Sequence, residues 1–124
     1  MSQTVDLVIV VRGLSELIAA IAEGGLTHEE TAAFRSEDGR THAVDLVVRD
    51  EAGAAVGVKV DARTGTATFV GHDRGGQAQA LAHRIAQRYA YSKVTQELKR
   101  KGYQIAREEK QKDGTIKLVA QRWR

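Results

Sequence analysis

Cysteine and proline are both absent from the 124 residues, and aromatic side chains are scarce. Without cysteine there can be no disulfides, no thiolate metal sites and no thiol nucleophile. No internal repeat, low-complexity run or linker interrupts the chain, so its length reads as a single domain over residues 1–124. A chain of this size buries roughly two-thirds of its unfolded surface, enough for a core without metal or disulfide support. Long apolar runs are missing as well. None approaches the ~20 residues of a membrane-spanning helix. The opening MSQTVDLVIVV is too short for a signal peptide and lacks its basic leader. The expectation is a cytoplasmic protein with no membrane partner.

Charge is present and unevenly placed. The net +3 is made of an acidic first part and a basic second part. Residues 1–73 carry six Lys/Arg against twelve Asp/Glu, and residues 74–124 carry thirteen against four. Such asymmetry fits either a nucleic-acid or acidic-protein partner, or a basic helix lying against acidic loops of its own molecule.

Periodicity gives the elements. TVDLVIVV (4–11) alternates Val5, Leu7, Ile9 and Val11 with Asp6, Val8 and Val10, the pattern of a strand. Leu14, Leu17, Ile18 and Ile21 form one face of a short helix, with Gly13 as N-cap and Gly24-Gly25 as its stop. A short irregular strand is expected around Thr31–Arg35, then a turn at Asp38-Gly39, with His28, Glu29 and Glu30 in a polar loop before it. THAVDLVVRD sets Val44, Leu46 and Val48 on one face; AAVGVKVDA and TATFV follow across glycine-bearing turns, giving an antiparallel meander. GHDRGG breaks the pattern. A helix then runs from about Gln77 to Lys101, with an apolar stripe through Leu81, Ile85, Tyr89, Val94 and Leu98 and Gly102 as C-cap. Two last strands, YQIAREE and TIKLVAQRW, flank the hairpin signal Asp113-Gly114. The expected fold class is α+β: a mostly antiparallel sheet of six to seven strands with two helices on one face, in order β-α-β-β-β-β-α-β-β.

RYAY-x2-V in the long helix, KGY-x-I, the Glu108-Glu109 pair, DGTI-x-L and the terminal RW lie together in RYAYSKVTQELKRKGYQIAREEKQKDGTIKLVAQRW. This segment resembles domain-of-unknown-function family 1257, the hypothetical chloroplast reading frame 35 family, and the order of the earlier strands and helix is similar. The resemblance implies a small soluble protein of the kind found in cyanobacteria, plastids and other bacteria. It implies a setting beside an AAA-type ATPase and a further very small protein, and it supplies no catalytic residues. Two positions depart from the family: Gln3 stands where members commonly carry histidine, and GHDRGG replaces a more aromatic connection.

Candidate sites follow from the side chains. The four histidines, His28, His42, His72 and His83, lack the partner spacing of a zinc site. The paired carboxylates sit in loops or hairpin flanks rather than across a cleft. GHDRGG has neither phosphate-loop spacing; its glycines either expose N–H groups to an anion at the helix N-terminus or simply permit the strand-to-helix turn. Tyr89 and Tyr91 stand roughly 200° apart on the helix, so they share no stacking platform. No catalytic, metal or cofactor-binding residues are expected.

Two binding surfaces stand out instead. The basic set Arg84, Arg88, Lys93, Lys99, Arg100 and Lys101 could meet a polyanion, although nucleic-acid readers interleave aromatics and this chain has only 5%. The sheet face away from the helices carries Val8, Val10, Val47 and Val119 beside Asp6, Asp45, Arg49, Lys117 and Gln121. A mixed face of this kind serves docking or self-association, or is an ordinary solvated sheet. The expected function is a non-enzymatic accessory or adaptor protein that binds another protein, with the AAA-type ATPase or its small neighbour as the partner the resemblance offers. The alternative is a nucleic-acid-binding module using the basic C-terminal half.

Overall fold

Alternating valine and leucine build the central strands because one face of each can be buried while the other meets solvent or a second layer. The computed structural model describes residues 3–5, 7–73, 75–110 and 116–122. Asp6, the Asp113-Gly114 turn and Trp123 lie outside the described residues. The elements run β1 (Gln3–Thr4), β2 (Leu7–Val10), α1 (Leu14–Glu23), β3 (Thr27–Glu30), β4 (Ala33–Arg35), β5 (Thr41–Ala43), β6 (Leu46–Arg49), β7 (Ala55–Asp61), β8 (Thr66–Val70), β9 (His72–Asp73), α2 (Gln77–Arg100), β10 (Tyr103–Lys110) and β11 (Ile116–Arg122).

The fold is α+β. Its five-stranded antiparallel sheet has the order β2-β8-β7-β6-β3, and β1-β9, β4-β5 and β10-β11 form separate two-stranded ladders. In the register, Leu7 faces Phe69, Phe69 faces Val58 and Val58 faces Leu46, which makes one apolar row across four strands. That row and Val48, Val56 and Ala67 pack against Leu17, Ala20 and Ile21 of α1 and Leu81, Ala82, Ile85 and Tyr89 of α2. Both helices therefore share one side of the sheet. No helix among the described residues is long and apolar enough to cross a membrane.

Helix α2 spans 24 residues and closes where the sequence indicates. Lys101 and Gly102 donate their N–H groups to the carbonyls of Glu97 and Lys99, and Gly102 takes a left-handed φ of 89° that turns the chain into β10. At the other end the Asp73 carboxylate accepts the Ala78 N–H at 2.7 Å. The helix N-terminus is thus served by an acid of its own chain, and Gly75-Gly76 make the turn.

Three sequence expectations change. Thr27–Glu30, expected as a polar loop, is the edge strand β3, paired along its whole length with β6 although all four side chains are exposed. THAVDLVVRD is two strands, not one. At Asp45 the backbone N–H donates to the Val58 carbonyl and the carboxylate accepts the Val60 N–H at 2.7 Å, interrupting the alternation. Val44 consequently faces away from Leu46 and Val48: a Cβ on Gly57 would lie 2.8 Å from Val44 Cγ1, 2.9 Å from Val70 Cγ2 and 3.1 Å from Phe34 Cδ2. Finally, His72–Asp73 continue beyond β8 as a short strand against Gln3–Thr4.

Those contacts also correct the picture of an open second face. Phe34 of β4 and Val44, beside β5, cover the middle of the sheet opposite the helices. Val47, cross-strand neighbour of Gly57, is only 2% exposed there. Val47 therefore belongs to a small second core, not to a docking surface.

Candidate functional site

Five of the six residues of the basic set on α2 and its C-cap lie against the protein's own acids or rings. Arg84 reaches Glu51 in the β6–β7 turn at 2.9 Å and the Gly24 carbonyl at the end of α1 at 3.2 Å. That hydrogen bond holds the Glu51 carboxyl below the usual carboxylate range. Arg88 lays its stem on Gly24 and its guanidinium carbon 4.4 Å from the Tyr91 ring centroid. Arg100 binds both oxygens of Glu97, Lys101 lies 3.5 Å from the same carboxylate, and Glu97 is lowered chiefly by Arg100. Lys93 sits 5.8 Å from the Tyr89 ring centroid, and it borders a hollow of about 140 Å³ with Arg12 and Arg100. Lys99 is exposed on the last turn. Arg84 and Arg88 thus meet at Gly24, Lys93 and Arg100 share the hollow with Arg12, and Arg100 and Lys101 share Glu97.

Tyr89 links the layers. Its ring is 3% exposed; its hydroxyl accepts the Arg12 N–H at 2.9 Å and donates to Glu16 at 3.4 Å. The Tyr89→Phe variant keeps the ring and loses both bonds, leaving a part-buried N–H without its acceptor. The expected cost is about 1–2 kcal/mol, read as a lower denaturant midpoint with an unchanged slope.

The loop from β4 to β5 gathers polar groups. Ser36, buried, donates to Asp38, lies 3.2 Å from His42 Nε2, and is 3.3 Å from the Arg40 carbonyl. The Ser36 bond, the Arg40 N–H and the neighbouring His72 and Arg40 charges hold Asp38 below its ordinary range. His72 also meets Thr4 at 2.9 Å. Asp38 bonds the serine and not the His42 imidazole, so this is the closure of a hairpin rather than a base-activated nucleophile. No group of three or more metal-ligating side chains converges among the described residues.

Of the valine candidates, Val8 and Val10 are exposed by 56% and 72% on β2, the outer strand of the sheet. Val119, half-buried, lies on β11 in the separate β10–β11 ladder and does not join them. The backbone adds what the side chains could not reveal. Val5 and Val11 donate to the Gly71 and Gly65 carbonyls, so the odd-numbered residues carry the bonds toward β8. By alternation Val8 and Val10 turn their N–H and C=O groups to the outer edge, where no strand pairs with them among the described residues.

A second feature missed in the sequence is a cavity of about 460 Å³ where β4, the β6–β7 turn, β9 and the start of α2 meet. Its lining comes from four stretches of chain, and only the GHDRGG break hinted at it.

Two curated relatives are alike in part of the chain. An uncharacterised protein ycf35 of Pyropia yezoensis is 38% identical over 45 residues, covering 36% of this chain and 35% of the relative. Another ycf35 protein, from Cyanophora paradoxa, is 41% identical over 46 residues, covering 37% and 36%. The matched stretch thus spans about a third of the length of each relative. No solved structure matches. The profile of the family described as Protein of unknown function (DUF1257) matches residues 20–119, from α1 into β11, and the chain belongs to that family.

Proposed function

We propose that the protein is a non-enzymatic accessory that binds an extended segment of another protein along the free edge of β2. The observation that carries this reading is the coincidence at Val8 and Val10 of exposed apolar side chains with outward backbone N–H and C=O groups. An added strand would satisfy those backbone groups and cover the valines, the mode by which sheet edges capture peptides. The first partner to test is the AAA-type ATPase implied by the resemblance. A photo-crosslinker at position 8 is expected to capture it, one at exposed Ala90 on α2 is not, and Val8→Lys with Val10→Lys is expected to weaken binding at least tenfold. Equal crosslinking from both positions, or undiminished binding by the double variant, overturns the proposal. A dimer of this chain abolished by the same double variant would reassign the edge to self-association.

The nucleic-acid reading draws less support, because Arg84, Arg100 and Lys101 already face Glu51 and Glu97 and Arg88 lies on Tyr91. Retention on heparin or single-stranded RNA with a steep salt dependence would restore it.

A further inference from the structure

The two edges of the five-stranded sheet are built differently. β3 closes one side with Thr27, His28, Glu29 and Glu30, all exposed, the polar and charged residues that discourage a further strand. β2 closes the other with Leu7, Val8, Ile9 and Val10, and its register with β8 runs without a bulge. Val8 and Val10 are exposed on one face, while Leu7 and Ile9 stay only half-buried on the other although they touch the core. The helices stop short of covering this edge. A strand laid along it would meet apolar surface on both faces, which favours apolar residues at consecutive positions rather than alternate ones.

Beyond the edge lies charge. Arg12, two residues past β2, has its N–H held by the Tyr89 hydroxyl and lines the 140 Å³ hollow with Lys93 and Arg100 of α2. Two acids share that lining, and both are engaged. Glu97 takes Arg100 through both oxygens and lies 3.5 Å from Lys101, and Glu16 accepts the Tyr89 hydroxyl. Arg12 and Lys93 form no ion pair among the described residues. With three cations to two carboxylates, the hollow keeps a positive surplus at the C-terminal end of the edge. At about 140 Å³ it admits one side chain rather than a whole ligand.

We infer that the segment captured by β2 is a run of consecutive apolar residues lying antiparallel to it, with an acidic side chain at its N-terminal end that enters the hollow beside Arg12 and Lys93. The inference rests on the docking proposal and specifies the chemistry of its ligand. Antiparallel pairing continues the direction of every ladder in the sheet and is the more stable kind. It sets the start of the captured strand next to Arg12, where β2 ends. An acid at the opposite end would fall beside the residues before Leu7, where the sequence offers Asp6 and no Lys or Arg.

The experiment is an amide-resolved NMR titration of the whole chain with four blocked peptides. They are Glu-Glu-Thr-Val-Val-Val-Thr, the same residues in reverse order, the first with glutamine for both glutamates, and the first with asparagine for the middle valine. Shifts are expected at Val8 and Val10, and the first peptide is expected to bind about threefold more tightly than each of the others. The reversed peptide carries equal charge, so the general basicity of the C-terminal half cannot produce that difference. Arg12→Gln with Lys93→Gln is expected to remove the advantage over the glutamine peptide, and added salt to shrink it. Equal affinity of the first peptide and any of the other three, or tighter binding by the reversed one, overturns the inference. The docking proposal survives that result when Val8→Lys with Val10→Lys still abolishes binding of the glutamine peptide. Binding indifferent to that double variant, or none by any peptide, overturns both.

Discussion

Replacing Phe69 by alanine is expected to destabilise the protein by about 3–5 kcal/mol, within reach of the whole stability of a domain this size. Phe69 is 1% exposed on β8 and sits in the row with Leu7 and Val58, under both helices. Removing the ring withdraws apolar area from the core and leaves a cavity that neighbours on three strands cannot collapse into, because their backbones are fixed by ladder bonds. Leucine at the same position refills most of the space and is expected to recover most of the loss. Guanidinium denaturation followed by circular dichroism checks both: the alanine midpoint should fall far below that of the leucine variant.

On the other face of the sheet the expected failure is crowding. Gly57→Ala places a methyl group 2.8–3.1 Å from Val44, Val70 and Phe34. A strand normally gains about 0.5–1 kcal/mol when glycine becomes alanine, since the unfolded chain loses freedom. Overpacking costs about 1–3 kcal/mol and outweighs that gain. Gly57→Val adds two further methyl groups to the same space and is expected to be worse than alanine despite valine's preference for strands. A Gly57→Ala/Phe34→Leu double variant, which shortens the opposing ring, should be less destabilised than the sum of the two single changes. Additive effects would show that Phe34 does not cover Gly57.

The helix α2 was legible because its signal is local. A four-residue apolar rhythm starts after GHDRGG, with Leu81, Ile85 and Tyr89 buried as expected but Val94 47% exposed, and the observed limits Gln77 and Arg100 lie within a residue of those expected. The alternation in 4–11 likewise gave the correct inner set, with Val5 and Val11 buried and Leu7 and Ile9 packed against the core. What was not legible depends on partners distant in sequence. THEE (27–30) has no apolar alternation, and only the β6 backbone makes it a strand. Val47 looks like an outward residue until Phe34 is folded over its cross-strand neighbour Gly57, and Val44 changes sides where Asp45 spends its carboxylate on the Val60 N–H. Of the candidate surfaces, Val8 and Val10 could be read from alternation, but the direction of their backbone groups required the register. The cavity of about 460 Å³ is assembled from separate segments, and no spacing rule would collect them.

The meander from β6 to β8 is complete at Val70, yet its inner face is screened largely by residues 78–89. During synthesis the five strands therefore leave the ribosome with Leu46, Val58 and Phe69 covered at most by α1, and closure waits for a helix made later. A nascent chain halted before Gln77 would be a sticky half-protein. Whatever protects it in that interval, a chaperone or the speed of elongation, acts on a hazard written into the order of the elements.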